Sequence, residues 1–178
     1  MPKRQIYLTG FMGTGKSTIL NCMHRMCGLK KIEMDEQIVM EQGMSISEIF
    51  EQKGEEHFRS LETELVKRIS DMDNIVVSCG GGTVMRQCNV DEMKRNGTIV
   101  LLTATAQTVY ERVKDNHKRP LLENNMNLQY IEELMEARRP RYEAAADIIV
   151  KTDGRTAKEI CKEIKERLKL DDNTKNVK

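Results

Sequence analysis

Nine residues at positions 10–18 have the types and the spacing of a loop that binds nucleotide phosphates: Gly-Phe-Met-Gly-Thr-Gly-Lys-Ser-Thr. A short apolar stretch, Ile6–Leu8, precedes them, and a helical pattern begins at Ser17. In this order of strand, turn and helix, the glycines allow backbone N–H groups to turn inward around an anion, and the helix adds its positive N-terminal end. Lys16 would reach the β- and γ-phosphates, and the Ser17 hydroxyl would bind Mg²⁺. The sequence therefore predicts a site for a nucleoside triphosphate with magnesium.

Two carboxylates, Glu33 and Asp35, follow the second apolar stretch. In an extended chain their side chains would point to the same side. One of them could hold water on magnesium while the other meets a hydroxyl group of a substrate. Asp35 could instead cap a helix over Glu36–Gln42, and the residues alone leave both interpretations open. The third apolar stretch does not end in the Asp that many phosphate-loop proteins use near the metal, so that role falls to Glu33 or Asp35.

Three glycines, Gly80–Gly82, end the third apolar stretch. They would let a ligand approach backbone N–H groups closely, or they could form no more than a tight turn before a helix. Arg59 and Arg138 lie in helical patterns, and each taken alone is typical of a surface charge. The polar, basic segment from about 114 to 126 contains Arg119 and follows a helical pattern, which is where a mobile lid would bring an arginine to a phosphoryl group.

The composition excludes several classes of protein. The chain has 178 residues, with 29 Lys and Arg against 28 Asp and Glu, so it carries no overall basic field for nucleic acid. No apolar run is long enough to predict a membrane span or a signal peptide. Five cysteines without a C-x-x-C pair are typical of free thiols in a reducing compartment. We therefore expect a cytoplasmic protein, and the balanced charge and the lack of an apolar surface stripe favour a monomer.

Short apolar stretches alternate with longer amphipathic ones, which predicts an α/β fold with three layers, α/β/α, around a five-stranded parallel sheet. The predicted strands are Ile6–Leu8, Lys30–Met34, Ile75–Ser78, Thr98–Leu102 and Asp147–Val150. The predicted helices are Ser17–Cys27, Ser47–Lys53, Glu55–Ser70, Val90–Arg95, Gln107–Val113, Leu128–Ala146 and Thr156–Leu170. Pro140 is expected to kink or break its helix near Arg139. We expect one domain over residues 1–170, with ligands at the carboxyl edge of the sheet, and a frayed tail at 171–178.

Five further blocks stand in order along the chain, and together with the phosphate loop they resemble shikimate kinases. The blocks are Asp35 followed by Ile38; Gly54-Glu55 with Phe58-Arg59 and Glu62; Gly80–Gly82; Arg119-Pro120-Leu121-Leu122; and Arg138-x-Pro140-x-Tyr142 leading into Ala146-Asp147. The similarity covers nearly everything from Ile6 to about Leu168. It implies the phosphate-loop NTPase fold of the nucleoside-monophosphate-kinase type. It also implies ATP-dependent phosphorylation of the 3-hydroxyl of shikimate, with Mg²⁺ as the cofactor.

The resemblance implies roles for particular residues. Asp35 would bind hydroxyls of shikimate and act as the general base, while Lys16 and Arg119 would act on the transferring phosphoryl group. The ATP-binding residues would be Gly13, Thr14, Gly15, Lys16, Ser17, Thr18, Arg112, Arg119 and Arg155, of which Arg112 and Arg155 would pack against the adenine. The shikimate-binding residues would be Asp35, Arg59, Gly80, Gly81, Gly82 and Arg138. The residues at the metal would be Ser17 and, through water, Glu33.

Three residues depart from the family's pattern, although none of them removes a required group. Glu33 stands where an Asp is usual, and its extra methylene changes the reach of the carboxylate. Arg141 replaces a leucine close to Arg138, and Lys118 directly precedes Arg119. Two other hypotheses remain: a kinase of the same architecture acting on gluconate or a nucleoside monophosphate, and an inactive nucleotide-binding module. The arginines and the glycine turn suit an acceptor with a carboxylate and hydroxyls better than a nucleotide acceptor.

Overall fold

Five short strands form one parallel sheet in the order β2-β3-β1-β4-β5. The structure is a computed structural model that describes residues 4–114 and 127–170. The strands are β1 (Gln5–Thr9), β2 (Lys30–Glu33), β3 (Ile75–Ser78), β4 (Gly97–Thr103) and β5 (Ile148–Lys151). All four pairings between neighbouring strands are parallel, so the predicted five-stranded parallel sheet is confirmed.

Eight helices cover the sheet within the residues that the structure describes. They are α1 (Lys16–Cys27), α2 (Met34–Gln42), α3 (Ile46–Lys53), α4 (Glu55–Ile69), α5 (Gln87–Asn96), α6 (Ala106–Val113), α7 (Leu128–Ala145) and α8 (Ala157–Arg167). A 3₁₀ turn, Thr83–Met85, follows the three glycines. Each amphipathic stretch forms its predicted helix, with bounds that differ from the prediction by at most a few residues.

Alternate residues of the strands face opposite layers of helices. In β1, Ile6 and Leu8 pack in one apolar cluster together with residues of α1 and α8. Tyr7 faces the other way and packs in a second cluster, with residues of α2 to α7. Because successive side chains of a strand point to opposite faces, an apolar strand between two layers of helices buries both of its faces. The three-layer α/β/α architecture follows from this pattern.

Of the kink or break predicted near Arg139, the break does not occur. Helix α7 continues from Leu128 to Ala145 with Pro140 inside it. Proline lacks the N–H that would bond to the carbonyl four residues earlier, which weakens the helix locally. However, Ile131 on one side of the proline and Tyr142 on the other are both buried in the same apolar cluster. Packing of both halves against one layer therefore keeps the helix in a single piece.

The positions of β1 and β3 determine where the predicted site residues meet. These strands are neighbours, but the connections that follow them run in opposite directions. From β1 the chain goes to β2 at one edge of the sheet, and from β3 it crosses to β4 on the other side of β1. A crevice forms where two connections diverge in this way. Leu8 lies opposite Ser78, and the N–H of Cys79 donates to the carbonyl oxygen of Leu8 at 2.9 Å. The phosphate loop and the glycine turn therefore begin side by side.

Parts of the predicted lid and tail lie outside the described residues. These parts are 115–126, with Lys118 and Arg119, and 171–178. Within the ranges 4–114 and 127–170, no helix has the length and apolar character needed to cross a membrane.

The start of α8 offers a test of local stability away from the crevice. The hydroxyl of Thr156 accepts from the N–H of Glu159 at 3.2 Å, and the Glu159 carboxylate accepts from the N–H of Thr156 at 3.1 Å. Thr156→Ala removes this capping box and should lower the free energy of unfolding in urea by about 1 kcal/mol. Thr156→Ser keeps the hydroxyl and is the matched control. Equal stability of the Ala and Ser variants would contradict the role of the cap.

Candidate active site

Left-handed glycines shape the phosphate loop before α1. Gly13 has φ of 78° and Gly15 has φ of 100°, a region that residues with a Cβ rarely adopt. A methyl carbon on Gly13 would also lie 2.8 Å from Cγ1 of Val113. Gly15 precedes the first helical residue, Lys16, so the N-terminal end of α1 points into the loop. The loop thus has the backbone shape of an anion site.

Lys16 lies folded over this loop. Its ammonium group donates to the carbonyl oxygens of Gly10 at 2.9 Å and Phe11 at 3.0 Å, and only 9% of the residue is exposed. The hydroxyl of Thr14 also donates to the oxygen of Phe11, at 2.7 Å. These contacts hold the lysine over the loop, where a bound triphosphate would replace the carbonyls as its partner.

The two arginines predicted near the adenine lie in different surroundings. Arg112 donates to the carbonyl oxygen of Gly13 at 2.9 Å, and it lines the same cavity as the phosphate loop. Arg155 donates to the carbonyl oxygen of Lys151 at 2.8 Å and forms an ion pair with Glu163 at 2.7 Å. Arg155 does not line that cavity within the described residues. The structure therefore joins Arg112, but not Arg155, to the phosphate loop.

One cavity of about 1000 Å³ at the carboxyl edge brings most of the predicted site residues together. Its predicted members are Gly13, Gly15, Lys16, Ser17, Thr18, Glu33, Asp35, Arg59, Gly80, Gly81, Gly82, Arg112 and Arg138. Thr14 is buried beneath the loop instead, and Arg119 lies outside the described residues. The volume is large enough for two small substrates to meet.

Asp35 does not cap a helix, so that interpretation is wrong. Helix α2 begins at Met34 and its capping position is Glu33, which makes no side-chain capping bond. Asp35 lies in the first turn of the helix and lines the cavity. Its Oδ1 atom would be 3.0 Å from a methyl carbon placed on Gly80. The carboxylate therefore faces the glycine turn.

Glu33 lies beside two serine hydroxyls, that of Ser17 in the first turn of α1 and that of Ser78 at the end of β3. Burial raises the pKa of its carboxyl, and the nearby hydroxyls of Ser78 and Ser17 partly oppose that rise. The buried Ser78 hydroxyl makes no hydrogen bond of normal geometry within residues 4–114 and 127–170. Sequence reasoning missed Ser78, because a serine at the end of an apolar strand carries no distinctive signal.

The described residues contain no cluster of three or more His, Cys, Asp or Glu side chains that could hold a metal ion. A hard cation at Ser17 and Glu33 would therefore need phosphate and water oxygens as further ligands, which is how Mg²⁺ is usually bound beside a nucleotide. The unsatisfied hydroxyl of Ser78 adds an oxygen partner for such water. These residues fit a magnesium ion that arrives with a nucleotide.

Arg59 is held by a buried carboxylate that sequence reasoning gave no role. Its guanidinium group forms an ion pair with Glu62 at 2.8 Å, and Glu62 is only 1% exposed. Glu62 also accepts from the hydroxyl of Thr83 at 3.0 Å. Burial raises the pKa of the Glu62 carboxyl, Arg59 and Thr83 oppose the rise, and Asp35 adds to it. The i, i+3 spacing on α4 is the signal that could have revealed this pair.

The glycine turn is packed against the charged side chains of the site. A methyl carbon on Gly80 would lie 2.6 Å from Oε1 of Glu62, and one on Gly82 would overlap the guanidinium group of Arg59. One on Gly81 would lie 3.4 Å from Nη1 of Arg138. No backbone carbonyl of the described residues accepts from the N–H of Gly81 or Gly82. The turn thus presents backbone donors beside two arginines and a carboxylate.

Tyr142 and Arg138 approach this turn from α7. The hydroxyl of Tyr142 donates to the carbonyl oxygen of Gly81 at 2.5 Å. Burial raises the pKa of Tyr142, and the neighbouring charge of Arg138 opposes the rise. The guanidinium group of Arg138 also lies over the ring of Phe11 in the phosphate loop, 5.9 Å from its centroid. Arg138 therefore stands between the two halves of the cavity.

The family model, the curated relatives and the solved structures at 28% identity or more point to one family. The family model for shikimate kinase matches residues 12–169. A shikimate kinase from Persephonella marina is 41% identical over 166 residues, which are 93% of this chain and 99% of that protein. The solved structure of shikimate kinase from Aquifex aeolicus is 39% identical with a TM-score of 0.80, covering 93% of this chain and 96% of that one. Shikimate kinase from Acinetobacter baumannii, solved in complex with shikimate, is 28% identical with a TM-score of 0.88, covering 99% and 96%.

The packing of the glycine turn can be tested in the protein without ligands. Gly82→Ala should push Arg59 away from Glu62 and leave a buried carboxylate without its partner, lowering the free energy of unfolding by about 1–3 kcal/mol. Gly81→Ala is the matched control, because the nearest atom to its methyl carbon would be 3.4 Å away. Urea unfolding of both variants measures the difference. If Gly82→Ala is as stable as Gly81→Ala, the contact does not constrain the turn.

Proposed function

Because the chain belongs to the shikimate kinase family, it is an ATP-dependent kinase, and we propose that it transfers the γ-phosphoryl group of ATP to the 3-hydroxyl of shikimate. The products would be shikimate 3-phosphate and ADP. One observation carries the proposal: Asp35 lies in one cavity with the phosphate loop and with Arg59 and Arg138. A carboxylate near phosphates suits proton removal from a hydroxyl, and guanidinium groups suit a substrate carboxylate.

On the acceptor side, Arg59 and Arg138 would bind the carboxylate of shikimate. A planar guanidinium group can donate two parallel hydrogen bonds to a carboxylate, which also fixes the orientation of the ring. Arg59 is held in place by its ion pair with the buried Glu62. The N–H groups of the glycine turn would donate to oxygens of the same substrate. The acceptor would therefore be positioned by donors that are already in place before it binds.

At the reacting hydroxyl, Asp35 would accept the proton as the oxygen attacks the phosphoryl group. The neighbouring Glu62 is paired with Arg59, so its negative charge is partly compensated and repels that of Asp35 less strongly than an unpaired carboxylate would. Positioning of the two substrates and stabilisation of charge account for most catalysis of phosphoryl transfer. Asp35 would contribute to positioning by orienting the hydroxyl, and it would limit the build-up of positive charge on that oxygen by taking its proton.

On the donor side, the phosphate loop and Lys16 would hold the β- and γ-phosphates. The ammonium group would exchange the carbonyl oxygens of Gly10 and Phe11 for phosphate oxygens, which are stronger partners for a cation. Ser17 and, through water, Glu33 would hold magnesium, which neutralises phosphate charge when it is bound. Arg112 and Arg155 would pack against the adenine, and Arg119 would approach the phosphates from the lid.

A coupled assay of ADP release tests the proposal directly. We expect turnover with ATP and shikimate, and none above background when gluconate or CMP replaces shikimate. CMP has no carboxylate for Arg59 and Arg138 to bind, and gluconate carries its carboxylate and hydroxyls on a flexible open chain instead of a ring. Turnover with gluconate or CMP alone would indicate another kinase of this architecture. ATP binding by calorimetry without turnover on any acceptor would indicate an inactive nucleotide-binding module.

The role of Asp35 as general base has its own test. Asp35→Asn preserves the size of the side chain but cannot accept the proton, so kcat with shikimate should fall by about 10²–10⁴-fold. Glu36→Gln is the matched control, because Glu36 is the next carboxylate on α2 and also lines the cavity. Steady-state kinetics of the two variants provide the comparison. A kcat for Asp35→Asn equal to that of Glu36→Gln would remove Asp35 from catalysis.

A further inference from the structure

We infer that Tyr142 is a positioning residue for the acceptor: its hydroxyl fixes the peptide group between Gly81 and Gly82 next to the guanidinium group of Arg138. The inference rests on the proposed function, because it concerns the half of the cavity that would hold shikimate. Tyr142 is not itself among the residues that line this cavity within the described chain. It would therefore act on the substrate only through the residues that it holds.

The spacing on α7 brings Tyr142 and Arg138 to the same point of the turn. Residues four apart lie on one face of a helix, one turn above the other. A methyl carbon placed on Gly81 would be 3.4 Å from Nη1 of Arg138 and 3.7 Å from the hydroxyl oxygen of Tyr142. Both side chains therefore contact the turn at Gly81, so a movement of either one would displace the turn at that point.

The hydrogen bond from Tyr142 sets the orientation of a whole peptide group. The carbonyl oxygen of Gly81 accepts from the tyrosine hydroxyl, and the described chain contains no cis peptide bonds. In a trans peptide the N–H of the next residue points opposite to the carbonyl. The N–H of Gly82 is thus held on the side of the turn away from α7. Glycines rotate freely without such a restraint, because they lack a Cβ.

Burial makes this restraint specific to the hydroxyl group. Tyr142 is only 5% exposed, so water cannot easily replace the hydroxyl as a donor to the Gly81 carbonyl. The turn has a second restraint, since the N–H groups of Thr83 and Met85 donate to the carbonyls of Gly80 and Gly82 at 3.1 Å. Those bonds fix the peptides on either side and leave the orientation of the Gly81 carbonyl to Tyr142.

Tyr142→Phe removes the donor and keeps the ring. We expect the KM for shikimate to rise by about 3–30-fold, which corresponds to the loss of one buried hydrogen bond. The KM for ATP and kcat should change by less than about twofold. Tyr130→Phe is the matched control, because Tyr130 lies on the same helix and packs against the same apolar cluster. A general loss of structure would alter both KM values and the melting temperature, whereas lost positioning affects shikimate alone.

A pair of unnatural residues keeps the test decisive if the Phe variant does not fold. Tyr142→4-aminophenylalanine retains a donor at the same place and should restore the KM for shikimate to near that of the unaltered protein. Tyr142→4-fluorophenylalanine has nearly the same size without a donor and should show the raised KM. Equal KM values for these two variants would overturn the inference. Absence of shikimate turnover in the unaltered protein would instead contradict the proposed function.

Discussion

The pairing of β1 with β3 is the constraint on which the rest of the site depends. Leu8 lies opposite Ser78, and the carbonyl oxygen of Leu8 accepts from Cys79, so the two strands end at the same level. The phosphate loop continues one strand and the glycine turn continues the other. Because the following connections leave in opposite directions, neither loop covers the other. The donor and acceptor halves can therefore share one cavity of about 1000 Å³.

Close packing of charge against glycine is the second constraint, and it explains why the turn carries no side chains. The Arg59 guanidinium group and the Glu62 carboxylate occupy the space that methyl groups on Gly82 and Gly80 would need. The Glu62 side of this ion pair is almost fully buried and Arg59 is partly exposed, so the carboxylate depends on Arg59 for its compensating charge. Because the ion pair holds Arg59 in one place, binding of a substrate carboxylate, as proposed, would need less ordering of this side chain.

Local sequence patterns predicted the sheet, seven of the eight helices in the described residues and the phosphate loop, because each is encoded by a few consecutive residues. Packing decided the outcome where it opposes a local preference. Pro140 lies inside a continuous helix, since buried residues on both sides of it pack against one layer. Asp35 has a residue type suited to capping, but the helix begins before it and the carboxylate faces the cavity.

By itself, the sequence determined the fold class and predicted the phosphate-binding half of the site, because the glycines that shape the loop and the side chains of Lys16 and Ser17 lie within a few consecutive residues. Only the tertiary structure decided which side chains support the acceptor half. Glu62 meets Thr83 across 21 residues, and Tyr142 meets Gly81 across 61. Such contacts depend on how the layers pack, and no spacing along the chain encodes them.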